Sequence, residues 1–249
     1  MKRGWVLTLL GLFAFLILLV VTLPARVLLG RIPGVEASGV SGSIWSGRAA
    51  MLSVQGFALG PTEWRLFALP LLRGRLDIDA KISPPNGNGA ARCLLAMDQS
   101  VQCSRVTIAL PLEFLPLSSL PQGWTGRINA NLTRLDLERG WPTAAEGQID
   151  VLDLRRPAGA GAASFGSYRL VMPAPDVSGN DSALVGALQD TGGPLNVIGT
   201  LTLSPDHSYV VDGRVAARND APQEIARSIE YLGTPDSQGR REFSLAGTL

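Results

Sequence analysis

Catalysis and metal binding have little to draw on in this sequence: its 249 residues include one histidine, His207, and two cysteines, Cys93 and Cys103. That is too few for a structural zinc site built from Cys and His. A lone histidine in the turn-like run Ser204 to Ser208 is far more often a solvated side chain than a general base. No GxSxG elbow, HExxH helix or P-loop is present, and no GxGxxG with a following helix. Charge is scarce as well. Charged residues make up 17% and the net charge is +1, with the arginines scattered, so no field exists to grip nucleic acid. Hydrophobic residues, at 46%, are too many for a disordered chain. No catalytic residue, cofactor or metal ligand is assigned, and the chain reads as a non-enzyme.

Two carboxylate pairs occur on strand-like segments. Asp77 and Asp79 share a strand face, but Lys81 follows on it, which marks an ordinary wet sheet face. Asp150 and Asp153 point to opposite sides of a strand. The sequons at Asn131 and Asn180 are common by chance and mute in most bacteria.

The clearest object is Gly4 to Leu23, an uncharged run whose only polar side chains are Thr8 and Thr22. A helix of about twenty residues rises roughly 30 Å, the thickness of the bilayer hydrocarbon core. Within lipid, a helix satisfies every backbone amide internally. Trp5 sits at one end, where an indole suits the interface. A cleaved signal peptide is the competing reading, with Lys2 and Arg3 as its basic n-region. The run exceeds the usual signal core, however, and Pro24 falls where a small-residue cleavage motif belongs. The expectation is an uncleaved anchor. Lys2 and Arg3 nearly balance Arg26 and Arg31, but a short basic tail before a first helix usually stays inside. This gives a cytoplasmic tail 1–3, a transmembrane helix 4–23 and a periplasmic β-rich domain 24–249.

Past the anchor, period-two alternation dominates. Arg75 to Ile82 turns Leu76, Ile78, Ala80 and Ile82 to one side. Val106, Ile108 and Leu110 alternate likewise, as do Tyr168, Leu170 and Met172. Leu201 and Leu203, then Tyr209, Val211 and Val215, flank the turn SPDHS, and Phe243, Leu245 and Leu249 close the chain. These patterns are half-buried antiparallel strands with one wet face. Parity switches between Ile128, Ala130, Leu132 and the odd pair Leu135, Leu137. A strand keeping one face buried must therefore break or bulge near Thr133–Arg134, and such breaks curve a sheet. The expected fold is mainly β: a curved antiparallel sheet with one or two short helices. The candidate helices are Ser182 to Gln189, capped by Asn180 or Asp181, and Pro222 to Leu232, stopped by Gly233. The Gly/Ala stretch around 157–164 either divides two β subdomains or is one hairpin tip.

Cys93 and Cys103 are symmetric about Asp98, the expected turn of CLLAMDQSVQC. Facing each other across a hairpin, they suit a disulfide in an oxidising compartment, the alternative being two buried thiols. Trp45-Ser46-Gly47-Arg48 recurs as Trp124-Thr125-Gly126-Arg127. Each reads as a strand-entry turn, with Gly47 and Gly126 supplying unusual backbone angles and Trp45 and Trp124 covering the core edge.

The anchor ending in Leu23-Pro24-Ala25, the segment Gly39 to Leu66, the stretch Gly199 to Pro222 and the closing Phe243 to Leu249 together resemble the type II secretion system protein N family. The resemblance implies an accessory inner-membrane subunit that supports export of folded proteins from the periplasm through an outer-membrane secretin. Its partners would be other secretion subunits of the inner-membrane assembly platform, with the secretin a further candidate, and the membrane by way of one helix. AsmA-type envelope proteins show similar strand-turn-Gly patterns. Their likeness implies a different function, in which a curved sheet groove holds a lipid ligand.

The anchor reading has a direct check. The mature protein should keep Met1 and stay with the membrane through a carbonate wash. Release by carbonate, or an N-terminus lying beyond Ala25, means that the segment is removed.

Overall fold

The computed structural model describes residues 11, 12, 15, 18, 19, 22–114, 123–156, 163–173 and 183–248. The expected span Gly4 to Leu23 lies largely outside them. Gly11, Leu12, Phe15, Leu18 and Leu19 are helical, and no helix among the described residues is long and apolar enough to cross a membrane. The chain forms two compact units, residues 1–85 and 86–249. Nearly all regular structure is antiparallel β, as the alternation implies, with few and short helices.

The first unit carries the short helix Ala25–Leu29 and strands β1 (Val35–Ser38), β2 (Ser41–Gly42), β3 (Ser46–Val54), β4 (Phe57–Phe67) and β5 (Arg75–Ile82). β1, β3, β4 and β5 lie side by side, and β2 pairs with β3. Trp45 immediately precedes β3, and its carbonyl accepts the Leu66 amide at 2.7 Å. Gly47 does not have the positive φ expected of it. It is needed for space: a Cβ there would lie 2.5 Å from the Trp64 ring and 2.9 Å from the Ser41 carbonyl. The Trp64 indole lies across Gly47 and donates to the Ile44 carbonyl at 3.2 Å. Gly126 likewise has no positive φ and faces the Leu152 carbonyl.

The face of β5 read as wet is dry at one end. Asp77 is only 8% exposed, and it pairs with Phe67 where the connecting 3₁₀ turn Leu69–Arg73 lies against the strand. Asp79 and Lys81 keep to the solvated side, opposite Arg65 and Glu63 respectively. Arg48 faces Glu63 from β3, so the charges alternate across the strands as favourable cross-strand neighbours.

The second unit is a meander in which each strand pairs with the next: β6 (Asn88–Ala96), β7 (Ser100–Pro111), β8 (Thr125–Glu138), β9 (Trp141–Arg156), β10 (Ala163–Met172), β11 (Leu184–Gly192), β12 (Leu195–Leu203), β13 (Ser208–Ala217) and β14 (Arg241–Thr248). β9 and β10, on either side of the 157–164 stretch, pair with each other, and residues 157–162 lie outside the described ones. The helix Gln223–Glu230 interrupts the meander and begins after Pro222, within the range the sequence indicates.

The parity switch in β8 is a bulge. Register shifts between Leu132 and Arg134, and Leu132 and Leu135 join one apolar cluster despite their opposite parity. β7 switches parity too, at Arg105 (φ 53°), so that Cys103 and Val106 are both buried. Register also shifts between Ala90 and Arg92 in β6, and Gly147 in β9 takes φ 133° beside Leu132. These irregularities line up across four neighbouring strands and act as one crease. The sheet curls: the ring of His207, in the β12–β13 turn, stacks on that of Trp141 at the start of β9, 4.8 Å between centroids. On a flat sheet strands β9 and β12 would lie about 14 Å apart.

One helix expectation fails. A helix is expected over Ser182 to Gln189, but Leu184–Gly192 is β11, held between β10 and β12. Residues 180–182, including the supposed caps, lie outside the described ones. A lone eight-residue helix is intrinsically marginal, whereas the strand gains two hydrogen-bonded neighbours. Gly186 fits under Leu170 and Met172, whose atoms lie within 2.9 Å of where a Cβ would stand.

Cys93 and Cys103 pair in register and are bridged, with Cα atoms 4.0 Å apart. The turn between them is set by Asp98, whose Oδ1 accepts from the Ser100 amide at 3.0 Å and its hydroxyl at 2.7 Å. In protein recovered from an oxidising compartment, non-reducing peptide mass spectrometry should find Cys93 linked to Cys103. Because the loop is short and the hairpin already paired, replacing both with alanine should cost about 1–3 kcal/mol and leave the fold intact. Free thiols in the native protein would rule the bridge out.

Candidate interaction surface

Among the described residues no three His, Cys, Asp or Glu side chains gather to hold a metal ion. His207 is exposed, and its ring is occupied by Trp141. Asp206 beside it is held below the usual carboxylate range by hydrogen bonds from the Ser208 hydroxyl and amide. Asp150 accepts from Arg169 at 2.6 Å and is an ordinary cross-strand ion pair. One concave feature of the second unit is apolar.

The inward face of the meander holds two clusters. One gathers Cys103, Val106, Leu132, Ala145, Met172 and Leu184 from β7 to β11. The other gathers Ala163, Leu195, Val197 and Val215 from the sheet with Ile225 and Ile229 from the helix. Those two isoleucines are four residues apart and so lie on one helix face, laid against the strands. Trp124 extends this cluster, its ring 4.9 Å from that of Phe165. Beyond the helix the apolar face continues uncovered. A groove of about 620 Å³ opens there, floored by Leu188, Val197, Val211 and Leu245 and walled by Ile229 and Leu232.

The polar groups on the groove wall are already engaged. The Tyr168 hydroxyl donates to the Phe165 carbonyl at 2.6 Å, and the Ser228 hydroxyl to the Glu224 carbonyl at 2.8 Å. Arg156 and Glu224 pair at the rim at 3.3 Å. Leu245, expected inside from the alternation, is 61% exposed, because no element among the described residues covers β14 beyond the helix.

Ile225 and Ile229 hold the helix on the sheet, and the chain leading into it is fixed by a latch that no local sequence pattern signals. Asp190, at the end of β11, accepts from the Val197 amide at 2.8 Å and from Arg218 at 2.5 Å. Arg218 also donates to the Gly193 carbonyl at 2.7 Å, fixing the chain just before the helix starts. Twenty-eight residues separate Asp190 from Arg218, so no local pattern signals the pair. Burial, then the nearby Asp190 charge, raises the Tyr168 hydroxyl to about 12, with Arg218 opposing.

The latch and the phenol give one measurement. Asp190→Ala strands Arg218 and the Val197 amide, so stability should fall by about 1–3 kcal/mol. A phenol with a raised folded pKa stabilises fully below its unfolded value, near 10, and loses that contribution as pH climbs toward 12. Unfolding free energy should therefore decline above pH 10 in the parent protein, and Tyr168→Phe should flatten the decline. Identical alkaline profiles for the two proteins would refute the assignment.

Comparisons with known proteins agree with one another. The family model for type II secretion system (T2SS), protein N, matches residues 33–244. The type II secretion system protein N of Aeromonas hydrophila is 25% identical over 259 residues, covering the whole of both chains. That of Vibrio cholerae serotype O1 is 25% identical over 245 residues, 92% of each chain. No solved structure matches. The match over residues 33–244 takes in both compact units, and the chain belongs to the type II secretion system protein N family.

Proposed function

We propose that this chain is an accessory inner-membrane subunit of the type II secretion system, which supports export of folded proteins by contact with other subunits. The observation that carries this reading is the family match over residues 33–244. In the proposed arrangement Gly4 to Leu23 crosses the inner membrane once, residues 1–3 stay cytoplasmic and the β units stand in the periplasm. The helix packs beside subunits of the assembly platform, while the strands and their edges meet periplasmic partners, the secretin among the candidates. The chain turns over no substrate and carries no cofactor.

A second reading draws on one observation. A lipid-handling protein of the AsmA kind would need an apolar trough open at its surface, and the groove beside Leu232 and Leu245 has that character. Both relatives above carry secretion names, which weighs for the first reading.

The two readings part in a deletion strain. Under the secretion reading, exoproteins remain folded but held in the periplasm, while outer-membrane integrity is normal. His207→Ala should restore release when supplied on a plasmid. Val211→Pro should not, since it removes a backbone donor from the middle of β13. Normal release with detergent-sensitive cells would overturn the secretion reading in favour of the lipid one.

A further inference from the structure

The groove is open on one side, where β14 ends the sheet. β14 pairs with β13 over eight consecutive residues without a register shift, and among the described residues no strand lies on its other side. An edge this regular leaves a row of backbone donors and acceptors free for another strand. The usual guards are weak: β14 has no proline, lysine or bulge, and its sole inward-side charge, Arg241, is at its first position. Its inward side carries Phe243 and the exposed Leu245, and its outward side Glu242, Ser244 and Ala246.

We propose that this edge binds the same edge of a second copy of the chain, antiparallel about a two-fold axis at Ser244. Side-chain chemistry selects that register. Pairing must keep inward residues opposite inward residues, so the axis can move only one residue at a time. An axis at Glu242 sets two glutamates against each other. An axis at Phe243 sets Arg241 against Leu245. An axis at Leu245 sets Phe243 against Gly247, over which the Tyr209 ring already lies, 2.8 Å from where a Cβ would stand.

With the axis at Ser244, Phe243 of each copy faces Leu245 of the other, so both exposed leucines gain an aromatic neighbour. Glu242 meets Ala246, and Ser244 meets Ser244. Arg241 meets Gly247 and comes beside the Tyr209 ring covering it, where a guanidinium is favoured over an aromatic face. No like charges oppose one another. The apolar floor then runs unbroken across the axis, and each copy closes the open side of the other's groove. This pairing stands apart from the secretion reading and holds or fails without it.

The chain's own cysteines make the test simple. Cys93 and Cys103 are bonded to each other, so a cysteine placed at Ser244 is the one free thiol. Oxidative crosslinking of full-length Ser244→Cys in cells should give a disulfide dimer on a non-reducing gel. Glu242→Cys and Ala246→Cys should each give at least tenfold less alone, yet link when co-expressed. In sedimentation, the purified parent should run at twice the chain mass. Leu245→Lys should run at the chain mass, with an unchanged thermal transition to show that it still folds. A parent that stays monomeric, self-linking at Leu245→Cys in place of Ser244→Cys, or a Ser244→Cys adduct to a different protein in place of the dimer would each overturn the proposal.

Discussion

An antiparallel meander that buries only one face must bend that face around its contents, and in the second unit the bend is made by the crease through β6 to β9. Arg105 and Thr133 each drop out of the pairing where the strands cross it, and Gly147, still paired with Leu132 and Met172, takes a positive φ there. An unpaired residue weakens the ladder, and what offsets this is the burial it permits. With the extra residue absorbed, residues of both parities turn inward: Cys103 with Val106, and Leu132 with Leu135. At roughly 25 cal/mol per Å² of apolar area, a few such side chains outweigh an interrupted ladder position. Past β9 the sheet also curls across its strands, and His207 comes to stack on Trp141.

The two ends of the inward face are finished differently. Toward the β12–β13 turn, the sheet packs on itself and needs no lid. Toward the other end the strands spread, and the helix Gln223–Glu230 fills the space with Ile225 and Ile229. The helix is short, and Pro222 at its start makes no side-chain cap. Its position therefore depends on the packing of Ile225 and Ile229, with Asp190 and Arg218 fixing the chain that leads into it and Glu224 pairing with Arg156 at the rim. Because Asp190 also holds the Val197 amide, the latch ties the helix approach to the strand that floors the groove.

How far this was legible in the sequence depended on the range of each interaction. The β10, β12 and β13 alternations and the Cys93–Cys103 hairpin are local, and they emerge as read. The bulge near Thr133 was visible because Leu132 and Leu135 are unambiguous apolar markers of opposite parity. The matching shift at Arg105 was not, since Val106, Ile108 and Leu110 form a clean run that hides the change from Cys103. SALVGALQ suggested a helix because its small and straight-chain residues carry no strong β preference, and pairing on both sides overrode that weak signal. At Gly47 the constraint on space is the Trp64 ring, seventeen residues ahead, which no local pattern announces. The Asp190–Arg218 latch, the buried Asp77 and the groove arise from contacts between distant segments, and no periodicity announces them.

A contact role of the kind proposed above would rest on surfaces. Several paired ionisable side chains shape the fold: Asp98 and Asp206 set turns, Asp150 and Arg169 join strands, and Asp190 with Arg218 fixes the approach to the helix. The interior groove, by contrast, offers alkyl and aromatic groups with their polar neighbours already satisfied. A partner entering it gains hydrophobic contact and finds few hydrogen bonds, which gives attachment with little directional specificity. Direction must come from backbone pairing, and the strand bordering the groove supplies it. Edge and groove are adjacent because, among the described residues, no strand carries the meander past β14. The same unfinished geometry that leaves Leu245 in water makes the sheet able to be continued by another chain.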